Sequence, residues 1–216
     1  LAFLFILAAL PKDVSLPEAL HIAGSLGKMK GVDFSLRLDT RYTFWSGMTG
    51  GLFVALAYFG TDQTQVQRYL TGGSLVESRL GLLMNGLVKV PMQFVILLVG
   101  VLVVVFYQFH RPPLFFQQAE LSRAAQSSYG PQLAKIEDSY SHVFARKQAL
   151  IADLLAARRQ GNATQEESAR AALAHTETEA KSLRTTAKAI IHKANPRAET
   201  KDSDYIFITF VKDHFP

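Results

Sequence analysis

The chain has 216 residues, with 23 Lys and Arg against 18 Asp and Glu, a formal net charge of +5 and no cysteine. The lack of cysteine excludes disulfides and thiolate metal sites. The basic residues of the polar part are interleaved with Asp and Glu, which argues for a solvated helical surface and against a nucleic-acid patch.

The mean hydropathy of +0.12 averages two unlike parts. Residues 80–109 carry one charge, Lys89, whereas residues 117–204 are densely charged. A membrane part and an aqueous part are expected rather than one globule.

In chain order, residues 1–10 (LAFLFILAAL) are apolar but too few to span a bilayer, which takes about 20. They lack the basic stretch and cleavage site of a signal peptide. The expectation is the tail of a membrane helix, stopped by Pro11, and an internal piece of a larger membrane protein. Residues 11–41 read as a mixed loop. Within it, Leu16 to Ala23 has helical spacing with Pro17 near the first turn, which predicts a short interfacial helix. Gly24, Gly27 and Gly31 are expected to end it.

No residue from Tyr42 to Gly60 is charged, and at helical rise this stretch covers about 28 Å, close to the hydrocarbon thickness. Tyr42 and Trp45 stand where an aromatic belt belongs. Gly47, Gly50 and Gly51 suit close helix contact or local unwinding in a membrane. The helix is expected to continue in polar form through Asp62, Gln63, Gln65, Gln67 and Arg68, and to turn at Gly72-Gly73. A second long helix begins near Ser74, where Ser-Leu-Val-Glu reads as a capping box with Glu77. Leu80 to Phe109 would run about 45 Å if straight, so it tilts, kinks at Pro91 or projects from the bilayer.

Residues 118–194 read as a helical hairpin. Leu133, Ile136, Tyr140, Val143, Phe144, Leu150, Ile151, Leu154 and Leu155 form one apolar stripe at i, i+3, i+4 spacing. Gly161-Asn162 ends that helix, and Thr164 with Glu167 reads as a capping box for the next. Ala169, Ala172, Leu173, Ala180, Leu183, Ala187, Ile190 and Ile191 form the facing stripe, stopped at Asn195-Pro196. Asp204 to Phe215 is apolar and aromatic, and is expected to lead into a further membrane helix.

Lys89 is the sharpest single feature. It lies roughly 14 Å along its helix, near mid-membrane. A charge there costs about 2.5–3.5 kcal/mol and usually marks a polar pathway; the alternative is a side chain that snorkels to an interface. The stretch from Asp62 to Arg68 reads either as the lining of an aqueous vestibule with a gating ion pair, or as a solvated helix end. His21, His110, His142, His175, His192 and His214 are scattered without metal-ligand spacing and read as surface residues. No catalytic motif or phosphate loop appears, so the chain does not read as an enzyme. Asn162-Ala163-Thr164 fits a glycosylation sequon, but it sits at a helix cap.

The residues Phe44-Trp45, Gly50-Gly51-Leu52-Phe53 and Tyr58-Phe59-Gly60-Thr61-Asp62-Gln63-Thr64-Gln65-Val66-Gln67-Arg68-Tyr69-Leu70 resemble the sodium/solute symporter family, which includes sodium/glucose, multivitamin and iodide transporters. Its marks here are the Asp-Gln-x-x-x-Gln-Arg core and a lysine, Lys89, about 20 residues on. The resemblance covers residues 42–109.

It implies an all-α membrane protein, a fragment of an inverted-repeat (LeuT-like) transporter bundle, with residues 42–109 as its sixth and seventh core helices. It implies sodium-coupled symport of a small solute by alternating access. Tyr58 would close the substrate site on the cytoplasmic side and Lys89 would contact substrate, while Asp62, Gln63 and Arg68 would take part in gating. Ala55 departs from the sugar branch, which has a hydrogen-bonding residue there. The Gln-Val-Gln-Arg-Tyr-Leu run is closer to the multivitamin and iodide branch, whereas Lys89 is closer to the sugar branch, so the resemblance leaves the branch open.

No sodium ligand is implied within this stretch; sodium is a coupling ion whose ligands lie elsewhere, and no other cofactor is expected. The resemblance places the Arg68–Arg79 loop in the cytoplasm and the hairpin in the periplasm. The positive-inside count disagrees, since Lys12, Lys28, Lys30, Arg37 and Arg41 lie in the preceding loop.

The resulting expectation is a sodium-coupled symporter of a bacterial-type inner membrane, with a sugar-like solute or, alternatively, an organic or inorganic anion or vitamin. Its partners are the bilayer, sodium and solute, with no nucleic acid. The segments are 1–10, the end of a membrane helix; 11–41, a loop; 42–109, two membrane helices; 110–203, an added soluble hairpin; and 204–216, a lead-in. The rival reading is a membrane-anchored helical interaction module.

Overall fold

The computed structural model describes residues 2–29, 34–36, 43–70 and 73–214. Gly31, Tyr42, Gly72 and Phe215, with the loop cations Lys30, Arg37 and Arg41, lie outside them. The described residues form α-helices and no strand. The helices are α1 (Ala2–Ala9), α2 (Leu16–Ser25), α3 (Phe44–Gly60), α4 (Gln63–Leu70), α5 (Leu75–Phe109), α6 (Gln118–Ala125), α7 (Gly130–Arg159), α8 (Ala163–Ala194) and α9 (Tyr205–His214). They fall into two units, residues 30–97 and residues 1–29 with 98–216, and the division runs through α5.

In the larger unit, α2 starts where the Glu18 carboxylate accepts hydrogen bonds from the backbone N–H and the hydroxyl of Ser15, both at 2.8 Å. That satisfies a donor the helix leaves unpaired. Gly24 is still helical. Gly27, at φ 71°, ends the helix, and the Lys28 N–H bonds back to the Ala23 carbonyl at 2.8 Å. This is the left-handed cap that only glycine adopts without strain.

The hairpin of α7 and α8 turns on the same device. Gly161 stands at φ 68°, and the Asn162 N–H returns to the Ala157 carbonyl at 2.9 Å. Asn162 then caps α8 by accepting from the Gln165 N–H at 3.2 Å. The expected cap at Thr164 is therefore corrected: Thr164 lies within α8. Asparagine is the better cap, and it precedes the threonine in the chain.

Both expected stripes face inward. Leu133, Tyr140, Val143, Phe144, Ile151, Leu154 and Leu155 are buried on α7, and Ala169, Leu173, Ala180, Ala187, Ile190 and Ile191 on α8. They divide between two cores. One joins Ile6, Ile22, Leu102, Phe106, Ile151, Leu154, Leu173 and Phe210, so the hairpin's closed end packs with α1, α2, α9 and the last turns of α5. The other joins Leu114, Phe115, Leu133, Tyr140, Val143, Ala187, Ile190 and Ile191. The hairpin is thus built into its unit rather than hung from it.

In the smaller unit, α3 has 17 residues. It is shorter than expected because Thr43 caps it, accepting from the Ser46 N–H at 3.2 Å. The helix does not run on through the polar stretch. The Thr61 hydroxyl bonds back to the Ala57 carbonyl at 2.8 Å, and Asp62 starts α4 by accepting from the Thr64 N–H at 2.9 Å. Short polar side chains that bond their own backbone compete with helix continuation and favour caps.

At α5, the Ser74 hydroxyl accepts from the Glu77 N–H at 3.2 Å, which is the serine half of the expected capping box. The helix has 35 residues and carries Pro91 inside it, which makes it about 52 Å long. By length and composition α5 is the one described helix apolar enough to cross a membrane, and α3 is apolar but shorter. Leu80, Leu83, Leu87, Val88 and Phe94 on α5 are exposed, whereas Leu102, Val105 and Phe106 further along are fully buried.

Candidate functional site

Three helices of the smaller unit carry the residues singled out above. Tyr58 lies in the last turn of α3 and is half-buried. Lys89 lies in the middle of α5 and is exposed. The structure brings the two together: Lys89 Nζ sits 5.4 Å from the centre of the Tyr58 ring. A cation over an aromatic face is stabilised by the ring quadrupole, more strongly where water is excluded. This pairing joins the only charge of residues 80–109 to the aromatic side chain to which the resemblance gave a role in closing the solute site. Ala55, one turn before Tyr58, presents no hydrogen-bonding group.

Asp62 is the cap of α4, and its Oδ1 is committed to the Thr64 N–H. Gln63 opens α4 and is exposed. Arg68 lies in α4, but its side chain falls outside the described residues, so the ion pair expected with Asp62 is not described. The cap was legible in sequence, since Asp before Gln-Thr-Gln is a helix-start signal; the run of polar residues masked it.

Two polar clusters of the larger unit were missed. The first joins α2 to the hairpin's closed end. Arg159 Nε donates to Glu18 Oε1 at 2.7 Å. This bond and those from Ser15 hold the Glu18 carboxyl down to about 2. His21 is not the surface residue expected: its side chain is 13% exposed, and its Nε2 lies 3.0 Å from Glu166 Oε1. An Arg158 N–H donates to His21 Nδ1, which selects the neutral ring with its proton on Nε2. Burial, followed by the Arg158 charge, moves the His21 pKa below its ordinary value.

A depressed histidine contributes stability that is complete above its unfolded pKa and is lost as pH falls through the folded value. The melting temperature of the wild type is therefore expected to fall between neutral pH and about pH 5, and His21→Gln to flatten that fall. Glu18 remains ionised throughout this window, so the difference isolates His21. Parallel curves for the two proteins would refute the assignment.

The second cluster centres on Asp202, which is 3% exposed. Its carboxylate accepts from Lys188 Nζ at 2.6 Å, from Arg184 Nη2 at 2.7 Å and from the Phe116 N–H at 3.2 Å. Arg184 also donates to the Leu114 carbonyl at 3.2 Å and lies over the Phe116 ring at 5.1 Å. The cluster ties the approach to α9 onto α8 and the 114–116 turn. Its signal in sequence was weak, because one aspartate among many charged residues of a polar segment reads as surface.

The chain is 35% identical over 68 residues to a sodium/iodide cotransporter of Homo sapiens, covering 32% of this chain and 11% of the relative. It is 30% identical over 101 residues to a sodium-dependent multivitamin transporter of Oryctolagus cuniculus, covering 46% of this chain and 15% of the relative. The chain resembles the sodium/solute symporter family. A sodium-coupled monocarboxylate transporter 1 of Homo sapiens is 34% identical over 59 residues, covering 27% of this chain and 10% of the relative. The symporter-like chain therefore spans between 10% and 15% of the length of these relatives. No family model and no solved structure matches it.

Proposed function

We propose that this chain is part of a transporter that couples sodium to the uptake of a small anionic solute by alternating access. The observation that carries this reading is the Lys89–Tyr58 pair: the only charge of the apolar stretch 80–109 set over an aromatic ring at 5.4 Å. Intramembrane cations mark solute or ion routes. Tyr58 would act as part of the inner gate and Lys89 would face the solute, with Asp62, Gln63 and Arg68 at the cytoplasmic mouth. Similarity to three sodium-coupled transporters supports the sodium dependence. Ala55 and a facing cation favour an anion over a hexose, and similarity to an iodide and a monocarboxylate transporter points the same way. A bacterial inner membrane and the inverted-repeat bundle belong to this proposal. The sodium sites would lie outside this stretch.

The test is uptake by the full-length protein in sealed vesicles with an imposed sodium gradient, using labelled iodide, a short monocarboxylate, biotin and glucose. Sodium-driven accumulation of one of the anions, with glucose excluded, is expected. Accumulation indifferent to sodium, or of glucose alone, would overturn the proposal, and no accumulation of any solute would favour the rival interaction module.

A further inference from the structure

The larger unit holds a cavity of about 390 Å³ where the last turns of α5 meet α7, α8 and the residues before α9. Its size lies in the range of about 300–1,000 Å³ typical of small-molecule pockets. Two of its walls are polar side chains on consecutive residues of α5. Tyr107 is 8% exposed and Gln108 is 5% exposed, and neither the Tyr107 hydroxyl nor Gln108 Oε1 has a hydrogen-bond partner among the described residues. Gln108 already spends its amide on the Val104 carbonyl, at 2.7 Å, which leaves the oxygen as a free acceptor. Buried polar groups are normally satisfied, and these two neighbouring orphans call for a partner; a third buried oxygen of the cavity, Glu177 Oε2, is met by its ion contact to Lys147.

The charge of the cavity points to the class of that partner. Lys28, Lys147, Lys181, Arg184 and Lys188 face two carboxylates, Glu177 and Asp202. Lys147 pairs with Glu177 at 2.5 Å, and Asp202 takes both Arg184 and Lys188. The cations still outnumber the anions, with Lys181 at the exposed rim. Val104, Pro112, Phe116 and Ile206 supply apolar wall.

We propose that this cavity binds a small organic anion. Its carboxylate would lie toward Lys181 and the Arg184–Lys188 side, its body against the apolar wall, and a hydroxyl-type group at Tyr107 and Gln108. A bare inorganic ion would leave the apolar wall and both orphan groups unused. The site lies wholly in the larger unit and shares no residue with the Lys89–Tyr58 pair, and the proposal does not depend on the transport reading.

The experiment is titration calorimetry on the full chain in detergent with 4-hydroxybenzoate, its neutral analogue 4-hydroxybenzamide and inorganic phosphate as probes. Saturable binding of 4-hydroxybenzoate is expected, weakening with salt, with the amide and phosphate much weaker. Lys181→Gln, an exposed substitution that leaves the core untouched, is expected to raise Kd about tenfold, and Tyr107→Phe about threefold to tenfold. Equal binding of the neutral amide, preference for phosphate, absence of saturable 4-hydroxybenzoate binding, or a Kd unchanged in both variants would overturn the proposal.

Discussion

Asp202→Ala is expected to destabilise the larger unit by about 3 kcal/mol, the lower end of the cost of breaking a buried ion pair. The carboxylate holds two cations and one backbone N–H at once. Its removal leaves Arg184 and Lys188 side by side without a counter-charge, and strands the Phe116 N–H. The loss stays at the lower end because Arg184 and Lys188 are 25% and 31% exposed and regain some hydration. Asp202→Asn keeps the shape and the acceptor for Phe116 and is expected to cost less. Urea unfolding followed by helical circular dichroism measures both; a loss under about 1 kcal/mol for the alanine variant would show that the cluster is only a surface pair.

The same cluster sets an acid limit. Burial works to raise the Asp202 carboxyl, but the Lys188 hydrogen bond, the Arg184 charge and the Phe116 N–H outweigh it and bring the carboxyl below its ordinary value. A carboxylate with a depressed folded pKa stabilises the fold above the ordinary carboxylate range, and that stability is lost as pH falls through the folded value. The wild type is expected to lose stability on this acid limb, and Asp202→Ala to lack that component of the loss.

The elements that sequence pattern revealed best are those whose signal is local and repeated. The stripes of α7 and α8 recur every three to four residues over 30 and 32 residues, so a single odd residue does not hide them. Ser74 with Glu77 and Gly161 with Asn162 are short-range devices, and each stands where the chain required it. What stayed hidden depends on distant contacts. Asp202 reaches residue 116, and Arg159 reaches Glu18; no periodicity announces such pairs. The burial of Lys147 and Thr176 within the hairpin is hidden for the same reason. The end of α3 was misread because Asp62, Gln63 and Gln67 suit a polar helix as well as they suit a cap and a new start. The resemblance assigned Tyr58 and Lys89 separate roles at one solute site, but their contact was not foreseen, since residues 31 positions apart on two helices share no local pattern.

Lys89→Ala is expected to reduce sodium-driven solute uptake by about ten- to a hundredfold, the worth of a hydrogen bond or ion contact to a charged group. A lysine at mid-membrane is unfavourable by about 2.5–3.5 kcal/mol, and the Tyr58 ring at 5.4 Å offsets about 0.5–2 kcal/mol of that, depending on how far water is excluded. The remainder is met if Lys89 faces water or an anionic solute during transport. The pairing with Tyr58 then holds the ammonium when no solute is present, and an arriving anion competes with the ring. Lys89→Arg keeps charge and stacking and is expected to retain part of the uptake, with a raised KM. Tyr58→Phe keeps the ring face and is expected to be mild, whereas Tyr58→Ala removes the resting partner of Lys89. If the two residues act through each other, the double alanine variant transports no worse than the poorer single variant, because the second change removes a contact already lost. Protein levels in the membrane are measured beside uptake, so that failed insertion is read separately from failed transport. Uptake unchanged in Lys89→Ala, at wild-type levels of inserted protein, would place Lys89 outside the solute route and leave the Tyr58 contact a packing feature of α5.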